Sequence, residues 1–116
     1  MDRIQTQLGI ELVAPIAAYV QAANAQDADA ITACFTSDAV VRDESRDRRG
    51  AKEIRAWAEE VSKKYRPIVD PLSITSQDGK IVVVGRVSGA FSGSPVQMRY
   101  VFALEGHRIA ALEITP

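Results

Sequence analysis

The stretch that decides the fold is residues 19–57, Y-V-Q-A-A-N-A-Q-D-A-D-A-I-T-A-C-F-T-S-D-A-V-V-R-D-E-S-R-D-R-R-G-A-K-E-I-R-A-W. Two helical segments lead into a short apolar strand, residues 39–43, and that strand ends on one carboxylate, Asp43. A helix that begins after Gly50 then brings Trp57 back towards Asp43. The functional question is therefore whether Asp43 lies in water or at the mouth of an apolar pocket.

Helical patterns flank this strand on both sides. Apolar residues recur at three- and four-residue spacing over residues 12–23, which predicts an amphipathic helix. Asp27 is a candidate N-cap for a second, short helix. Residues 51–65 carry one apolar stripe and predict a third helix. Between these helices, residues 42–49 carry seven charges in eight positions, and the last six of these residues are expected to form a solvated loop.

Strand patterns take over from residue 72 onwards. Apolar runs at residues 72–76, 81–91, 96–104 and 108–115 are separated by glycine-containing turns, which predicts four consecutive antiparallel strands. Helices followed by such strands indicate an α+β fold, with the helices packed on one face of a curved sheet.

Alternate residues of a strand face opposite sides of the sheet. In the third of these strands the large apolar set contains Met98, Tyr100 and Phe102, which are expected to meet the helices. The opposite set mixes Arg99 with Val101, and such a face suits a subunit interface, so we expect a homodimer through the sheet. Glycines in the preceding strand predict a hollow between sheet and helices.

Composition limits the class of protein. The chain has 116 residues, enough for one domain over residues 1–116, and its formal net charge of -1 gives no argument for nucleic acid. The single Cys34 fits a reducing compartment. The polar residues 1–7 lack the apolar run of a signal peptide, and no stretch is long and apolar enough for a membrane span, so we expect a cytoplasmic protein. No histidine, cysteine or carboxylate grouping has metal-ligand spacing, and we expect no metal.

Three motifs carry a resemblance to a known family: Y-V-Q-A-A-N-A-Q-D at residues 19–27, I-T-A-C-F-T-S-D-A-V-V-R-D at 31–43 and R-G-A-K-E-I-R-A-W at 49–57. With four strands after them, they make the chain similar to the nuclear transport factor 2-like superfamily, and within it to SnoaL-like proteins and ketosteroid isomerase. The resemblance implies a cone-shaped α+β fold with three N-terminal helices packed on a curved, mainly antiparallel sheet. A pocket is expected between helices and sheet.

The resemblance also implies catalytic positions. Asp43 matches the general base of the isomerase, and Tyr19 matches its oxyanion-stabilising tyrosine. Tyr100 occupies the place of its second oxyanion donor, a protonated aspartate. The implied reaction is proton transfer on a small apolar carbonyl compound, such as a steroid or polyketide, without a cofactor. The residues expected to line the pocket are Phe35, Trp57, Val61, Met98, Phe102 and Leu112.

Other interpretations of the same residues stay open. Without the family resemblance, Asp43 fits an ordinary strand-end carboxylate in a charged loop, and Tyr19 fits a core residue that can also line the pocket. The superfamily hosts several reactions and also binding proteins. A small-ligand-binding domain without chemistry is therefore the alternative function. An apolar surround is expected to raise the pKa of Asp43, whereas an exposed carboxylate has no such reason to shift.

Overall fold

The computed structural model describes residues 3–5 and 11–116, and that part of the chain contains three helices and eight strands. In chain order they are β1 (Arg3–Gln5), β2 (Glu11–Val13), α1 (Ala14–Asn24), α2 (Ala28–Ala33), β3 (Phe35–Asp43), β4 (Arg46–Arg49), α3 (Gly50–Tyr65), β5 (Ile68–Gln77), β6 (Lys80–Ser88), β7 (Val96–Glu105) and β8 (Arg108–Thr115).

Six strands form one sheet in the order β4-β3-β8-β7-β6-β5, and β1 pairs separately with β2. The four strands from β5 to β8 run antiparallel to one another in sequence order, as the turn signals predict. The β3 strand joins β8 in parallel and forms an antiparallel hairpin with β4. The sheet is therefore mixed, and the long connection from β3 to β8 lets the chain place helices over one face.

Two expectations about the first half of the chain need correction. The three helices are not all N-terminal to the sheet strands, because α3 follows the β3–β4 hairpin. The charged residues 44–49 are not simply a loop, since Arg46–Arg49 form β4 and pair with Val40–Asp43. Backbone pairing with β3 explains how a run of exposed charges becomes a strand, because only alternate side chains need to avoid water.

Local interactions fix the helices where the sequence predicts them. Pro15 lies in the first turn of α1, where a missing N–H costs nothing. The Asp27 carboxylate accepts a hydrogen bond from the Ala30 N–H at 3.0 Å and caps α2. At the end of α1, Asn24 donates to the Val69 carbonyl at 3.0 Å and accepts from the Val69 N–H at 2.8 Å. This two-way bond attaches α1 to β5.

The helices cover the inner face of the sheet, where the largest fully buried side chains lie. Ile16 of α1 and Ile54 of α3 are fully buried there against Phe102 and Leu112 in the same core cluster. On the outer face, Val82 is only 5% exposed within one chain. Val84 and Val101 beside it are half-buried. The outer valines are therefore partly covered already by their neighbours on the sheet.

Candidate functional site

A cavity of about 300 Å³ lies between α3, α1 and the inner face of the sheet. Its deep part is lined by buried side chains that include Tyr19, Trp57 and Tyr100. Its mouth is lined by the more exposed Tyr65 and Phe91, which follow from the end of α3 and the end of β6. The volume suits a small organic molecule rather than a macromolecule.

Asp43 reaches this cavity because of strand parity. Val41 is fully buried on the inner face of β3, so the residue two positions later faces the same way. The indole N–H of Trp57 donates a hydrogen bond of 3.0 Å to Asp43 Oδ2. The carboxylate is thus half-buried at the wall of an apolar cavity and held by a donor from the helix above it.

The charge state of Asp43 is set by opposing influences. Burial raises the pKa of Asp43, and the negative charge of Glu44 raises it further. The Trp57 N–H, a backbone hydrogen bond from Glu44 and the charge of Arg48 act the other way and lower the pKa. A carboxylate in such surroundings is a stronger base than one in water, because its pKa has moved towards neutrality.

Tyr19 and Tyr100 come from α1 and β7 and meet in the wall of the cavity, with ring centroids 6.5 Å apart. Both are buried, at 4% and 6% exposure. Burial is the largest cause that raises the pKa of each phenol, and the nearby charge of Asp43 raises both pKa values further. Each hydroxyl therefore keeps its proton at neutral pH and can act as a hydrogen-bond donor near Asp43.

Arg48 was not identified from the sequence. The pairing of Val41 with Arg48 turns this side chain to the inner face, diagonal to Asp43 across the hairpin. Its Nη1 lies 3.6 Å from Glu60 Oε2 of α3, and its side chain is 14% exposed. Among the described residues, Arg48 Nε is the one buried side-chain nitrogen or oxygen without a hydrogen-bond partner. Strand parity would have found it, had β4 been recognised.

The structure separates the predicted lining residues into two groups. Trp57, Val61 and Met98 line the cavity together with Asp43 and both tyrosines. Phe35, Phe102 and Leu112 do not line it and lie in the core, at 3%, 1% and 1% exposure. Their expected place in the pocket is therefore corrected.

Aromatic contacts explain this second layer. The Phe35 and Tyr19 rings meet edge to face with centroids 6.0 Å apart, and Phe102 stacks beside Tyr100 at 6.4 Å. Both phenylalanines therefore support the tyrosines that face the cavity.

The cavity lies between sheet and helices as predicted, but the missing side chains of the strand glycines do not supply its space. A Cβ at Gly85 would lie 3.0 Å from Val69 Cγ1 and 3.7 Å from Tyr100 Cε1, so neighbouring side chains already fill that space. The chain at Gly89 passes close to the end of α3, where the Ala90 N–H donates to the Tyr65 carbonyl at 2.7 Å. Both glycines serve close packing, and the cavity opens between them and α3.

Residues outside the cavity give little sign of a second reaction centre. Within the described ranges, no group of three histidine, cysteine, aspartate or glutamate side chains could hold a metal ion. Cys34 and the exposed His107 line a separate groove beside α1 and α2. Cys34 is half-buried, and its thiol donates to the Ala30 carbonyl at 3.3 Å. In residues 3–5 and 11–116, no helix is long and apolar enough to cross a membrane.

Comparison with known proteins gives one family and several structural neighbours. The model of the SnoaL-like domain matches residues 16–111. A structure from Sinorhizobium meliloti, described as a candidate polyketide cyclase, is 36% identical with a TM-score of 0.84, covering 90% of this chain and 95% of its own. No match was found among curated proteins.

More distant structures share the fold. A protein from Catenulispora acidiphila with a ketosteroid isomerase-like fold, in complex with trimethylamine, has a TM-score of 0.77 at 15% identity and covers 88% of this chain and 84% of its own. A nuclear transport factor 2-like protein of unknown function from Cytophaga hutchinsonii has a TM-score of 0.71 at 11% identity, covering 99% and 93%.

Proposed function

The chain belongs to the SnoaL-like domain family, and on that premise we propose that it is a proton-transfer enzyme, isomerase- or cyclase-like, that acts on a small carbonyl compound. The observation that carries the proposal is the half-buried carboxylate of Asp43 in the wall of an apolar cavity, with the Trp57 N–H bound to it at 3.0 Å. The 36% identity with a candidate polyketide cyclase supports the same class of reaction.

The proposed first step uses Asp43 as a general base. Its carboxylate removes a proton from the carbon next to a substrate carbonyl, and the electron pair of that C–H bond forms the C=C bond of an enolate. The carbonyl oxygen gains the negative charge. Because the raised pKa of Asp43 is closer to neutrality, the carboxylate is a better base and proton transfer is easier.

Tyr19 and Tyr100 are proposed as donors to the developing oxyanion. Both phenols line the cavity and keep their protons at neutral pH. One such donor is worth about 10²–10³ in rate. The protonated Asp43 then returns its proton to a different carbon in an isomerisation. In a cyclisation the enolate carbon attacks a second carbonyl, whose oxygen takes the proton. Neither route requires a cofactor.

A binding domain without chemistry is the second candidate. The observation that favours it is Tyr100, a bulky phenol at the position where the isomerase has a protonated aspartate. The complex of the Catenulispora acidiphila protein with trimethylamine supports small-ligand binding as a use of this fold. The two candidates differ in what Asp43 does once a ligand is bound.

The test is a turnover screen of enolisable ketones, including steroid and polyketide-like compounds, with three forms of the protein. Wild type should exchange the proton next to the carbonyl, as followed by deuterium incorporation. Asp43→Asn should exchange this proton about 10²–10⁴-fold more slowly but keep ligand binding. Asp47→Asn is the matched control, because it changes the same residue type on the same hairpin. Turnover of a substrate by Asp43→Asn at the wild-type rate would disprove the base assignment.

A homodimer through the outer face of the sheet is also proposed. Val84, Val101 and Ala103 are half-buried there within one chain, and an apolar strip of this kind is commonly an interface. Sedimentation equilibrium at micromolar concentration should give twice the 12.6 kDa mass of one chain. A single 12.6 kDa species would contradict the dimer.

A further inference from the structure

The charges around the cavity are unbalanced. Of the eighteen residues that line it, Asp43 and Glu44 are acidic and none is lysine, arginine or histidine. The proposed reaction uses one of these carboxylates, Asp43. A neutral ketone would leave Glu44 without a role, and its negative charge opposes ionisation of Asp43. Glu44 is therefore the lining residue that the proposed reaction does not explain.

Glu44 is held at the cavity by a strained turn. Glu44 and Ser45 connect β3 to β4 with φ angles of 53° and 62°, in the left-handed region. Asparagine and glycine are the usual residues of such a two-residue turn, and other residues cost about 1–2 kcal/mol each. The turn changes the direction of the chain just after Asp43, so two consecutive residues line the same cavity.

Tyr65 stands beside Glu44 at the mouth, and Phe91, which lines the same cavity, packs against Tyr65. The Tyr65 hydroxyl donates a hydrogen bond of 3.4 Å to Glu44 Oε1. The ring of Phe91 meets that of Tyr65 edge to face, with centroids 5.9 Å apart and planes 87° apart. Perpendicular aromatic walls next to a carboxylate are the arrangement that binds alkylammonium groups, which favour ring centroids within about 6 Å.

The chain itself already places one cation at this mouth. The ammonium of Lys64 lies 5.1 Å from the centre of the Tyr65 ring. The hydrogen bond with Tyr65 is the largest cause that raises the pKa of Lys64, and the negative charge of Glu44 raises this pKa further. Lys64 is exposed and does not line the cavity. The Tyr65–Glu44 pair therefore stabilises positive charge. The Lys64 ammonium would compete with a positively charged ligand for this pair.

We propose that Glu44, Tyr65 and Phe91 form a cation subsite at the mouth of the cavity, and that the preferred ligand carries a tertiary or quaternary ammonium group. The assignment rests on the proposed function only for the carbonyl end of that ligand, which would lie deeper, at Asp43 and the two tyrosines. The proposed substrate class is therefore an amino-substituted carbonyl compound. Its methylated nitrogen would lie at the mouth of the cavity, and its enolisable carbon would lie inside, next to Asp43.

Binding of an isosteric pair tests the subsite without any turnover. Choline and 3,3-dimethylbutan-1-ol have nearly the same shape and differ in one positive charge. Calorimetry at low salt should show choline binding about tenfold or more tighter, the scale of a partly desolvated cation–π contact with a carboxylate. Equal affinities, or no choline binding at millimolar concentration, would overturn the proposal.

Matched variants assign the effect to its residues. Glu44→Gln should weaken choline about tenfold and leave the neutral alcohol unchanged, whereas Glu105→Gln, at the exposed β7–β8 turn, should change neither. Lys64→Met should tighten choline several-fold by removing the competitor, and Lys63→Met on the same helix should not. Unchanged choline affinity in Glu44→Gln, with the fold intact, would exclude Glu44 as the anion.

Failure of this proposal differs from failure of the proposed reaction. Choline binding with no turnover of any ketone would keep the subsite and favour the binding-domain function. Turnover of neutral and ammonium-bearing ketones with equal kcat/KM would keep the reaction and reject the subsite.

Discussion

Asp43 and Asp47 lie on the same β3–β4 hairpin, and the hairpin register turns them to opposite faces of the sheet. Asp47 faces outwards, where its two oxygens contact Arg42 at 2.9 Å and Arg49 at 3.4 Å. Asp43 faces the cavity, where the uncharged indole of Trp57 donates a hydrogen bond of 3.0 Å to it. One carboxylate is neutralised by arginines, and the other is kept basic by partial burial.

This difference shows that strand parity, and not residue type, decides which carboxylate reaches the cavity. Both residues belong to the run R-D-E-S-R-D-R-R, in which every charge looks equally exposed. Pairing of β3 with β4 places Arg42 with Asp47 on the outer face and Arg48 with Asp43 on the inner face. The outer pair forms an ion pair exposed to water, while on the inner face the charge of Arg48 lowers the pKa of the Asp43 carboxyl at the cavity.

Among the variants that change the surroundings of Asp43 but not those of Asp47, Trp57→Phe should have the largest effect on activity. The phenyl ring keeps most of the apolar wall but removes the hydrogen bond to Asp43 Oδ2. Without this donor the carboxylate is no longer held in one orientation at the cavity wall, so activity should fall roughly tenfold or more. Loss of the donor also disfavours the ionised form, so the acid limb of the kcat/KM profile should move to higher pH.

The control for Trp57→Phe is the same change in an Asp43→Asn background. There the acid limb that depends on Asp43 is already absent, so Trp57→Phe should change only stability. A wild-type pH profile in the single variant would mean that the Trp57 hydrogen bond does not influence the base.

Much of the architecture could be predicted because it rests on local patterns. The nuclear transport factor 2-like resemblance is confirmed by the family match and by the neighbouring folds. The bounds of α3, the Asp27 cap and the four antiparallel strands follow from periodicity and turn chemistry. These features depend on residues close together in sequence, which one chain displays directly.

The site could be predicted less completely, because it depends on long-range pairing. The β4 strand has no apolar residue, so its register against β3 and the inward turn of Arg48 were invisible. Phe35 and Leu112 have the apolar character of lining residues, yet packing places them one layer behind the cavity. Hydrophobicity distinguishes buried from exposed residues, but it does not distinguish a cavity wall from the core behind it.

A smaller effect on activity is expected from Arg48 on the inner face of the hairpin, with Arg42 on the outer face as its control. Arg48 favours ionised Asp43, so Arg48→Met should raise the pKa of Asp43 and move the acid limb of kcat/KM to higher pH. Activity below neutral pH should fall several-fold, with little change above it. Arg42→Met is the matched control on the outer face, where it contacts Asp47 and Glu113, and it should leave the profile in place.

Other groups that face Asp43 also influence its ionisation. They are Glu44, Trp57, Tyr19, Tyr100 and, across the hairpin, Arg46. None of these is changed in Arg48→Met, and Arg48→Lys should restore the wild-type limb because it keeps the charge. A merely structural role of Arg48 would instead lower activity equally at all pH values.

The smallest expected difference is in stability, where Asn at the two positions should act with opposite sign. Burial raises the pKa of Asp43 in the folded chain, so the folded state holds this proton more tightly than the unfolded state. That contribution favours folding below the unfolded pKa of about 3.9 and is lost as pH rises through the folded pKa.

At pH 7 the half-buried carboxylate is therefore unfavourable, and Asp43→Asn should stabilise by about 0.5–2 kcal/mol. Asp47→Asn removes contacts to exposed arginines and should destabilise by about 0.2–1 kcal/mol. Urea unfolding at pH 7 should show this reversal, and at pH 3.5 the gain from Asp43→Asn should largely disappear. Two variants destabilised alike at pH 7 would mean that Asp43, like Asp47, is a structural carboxylate.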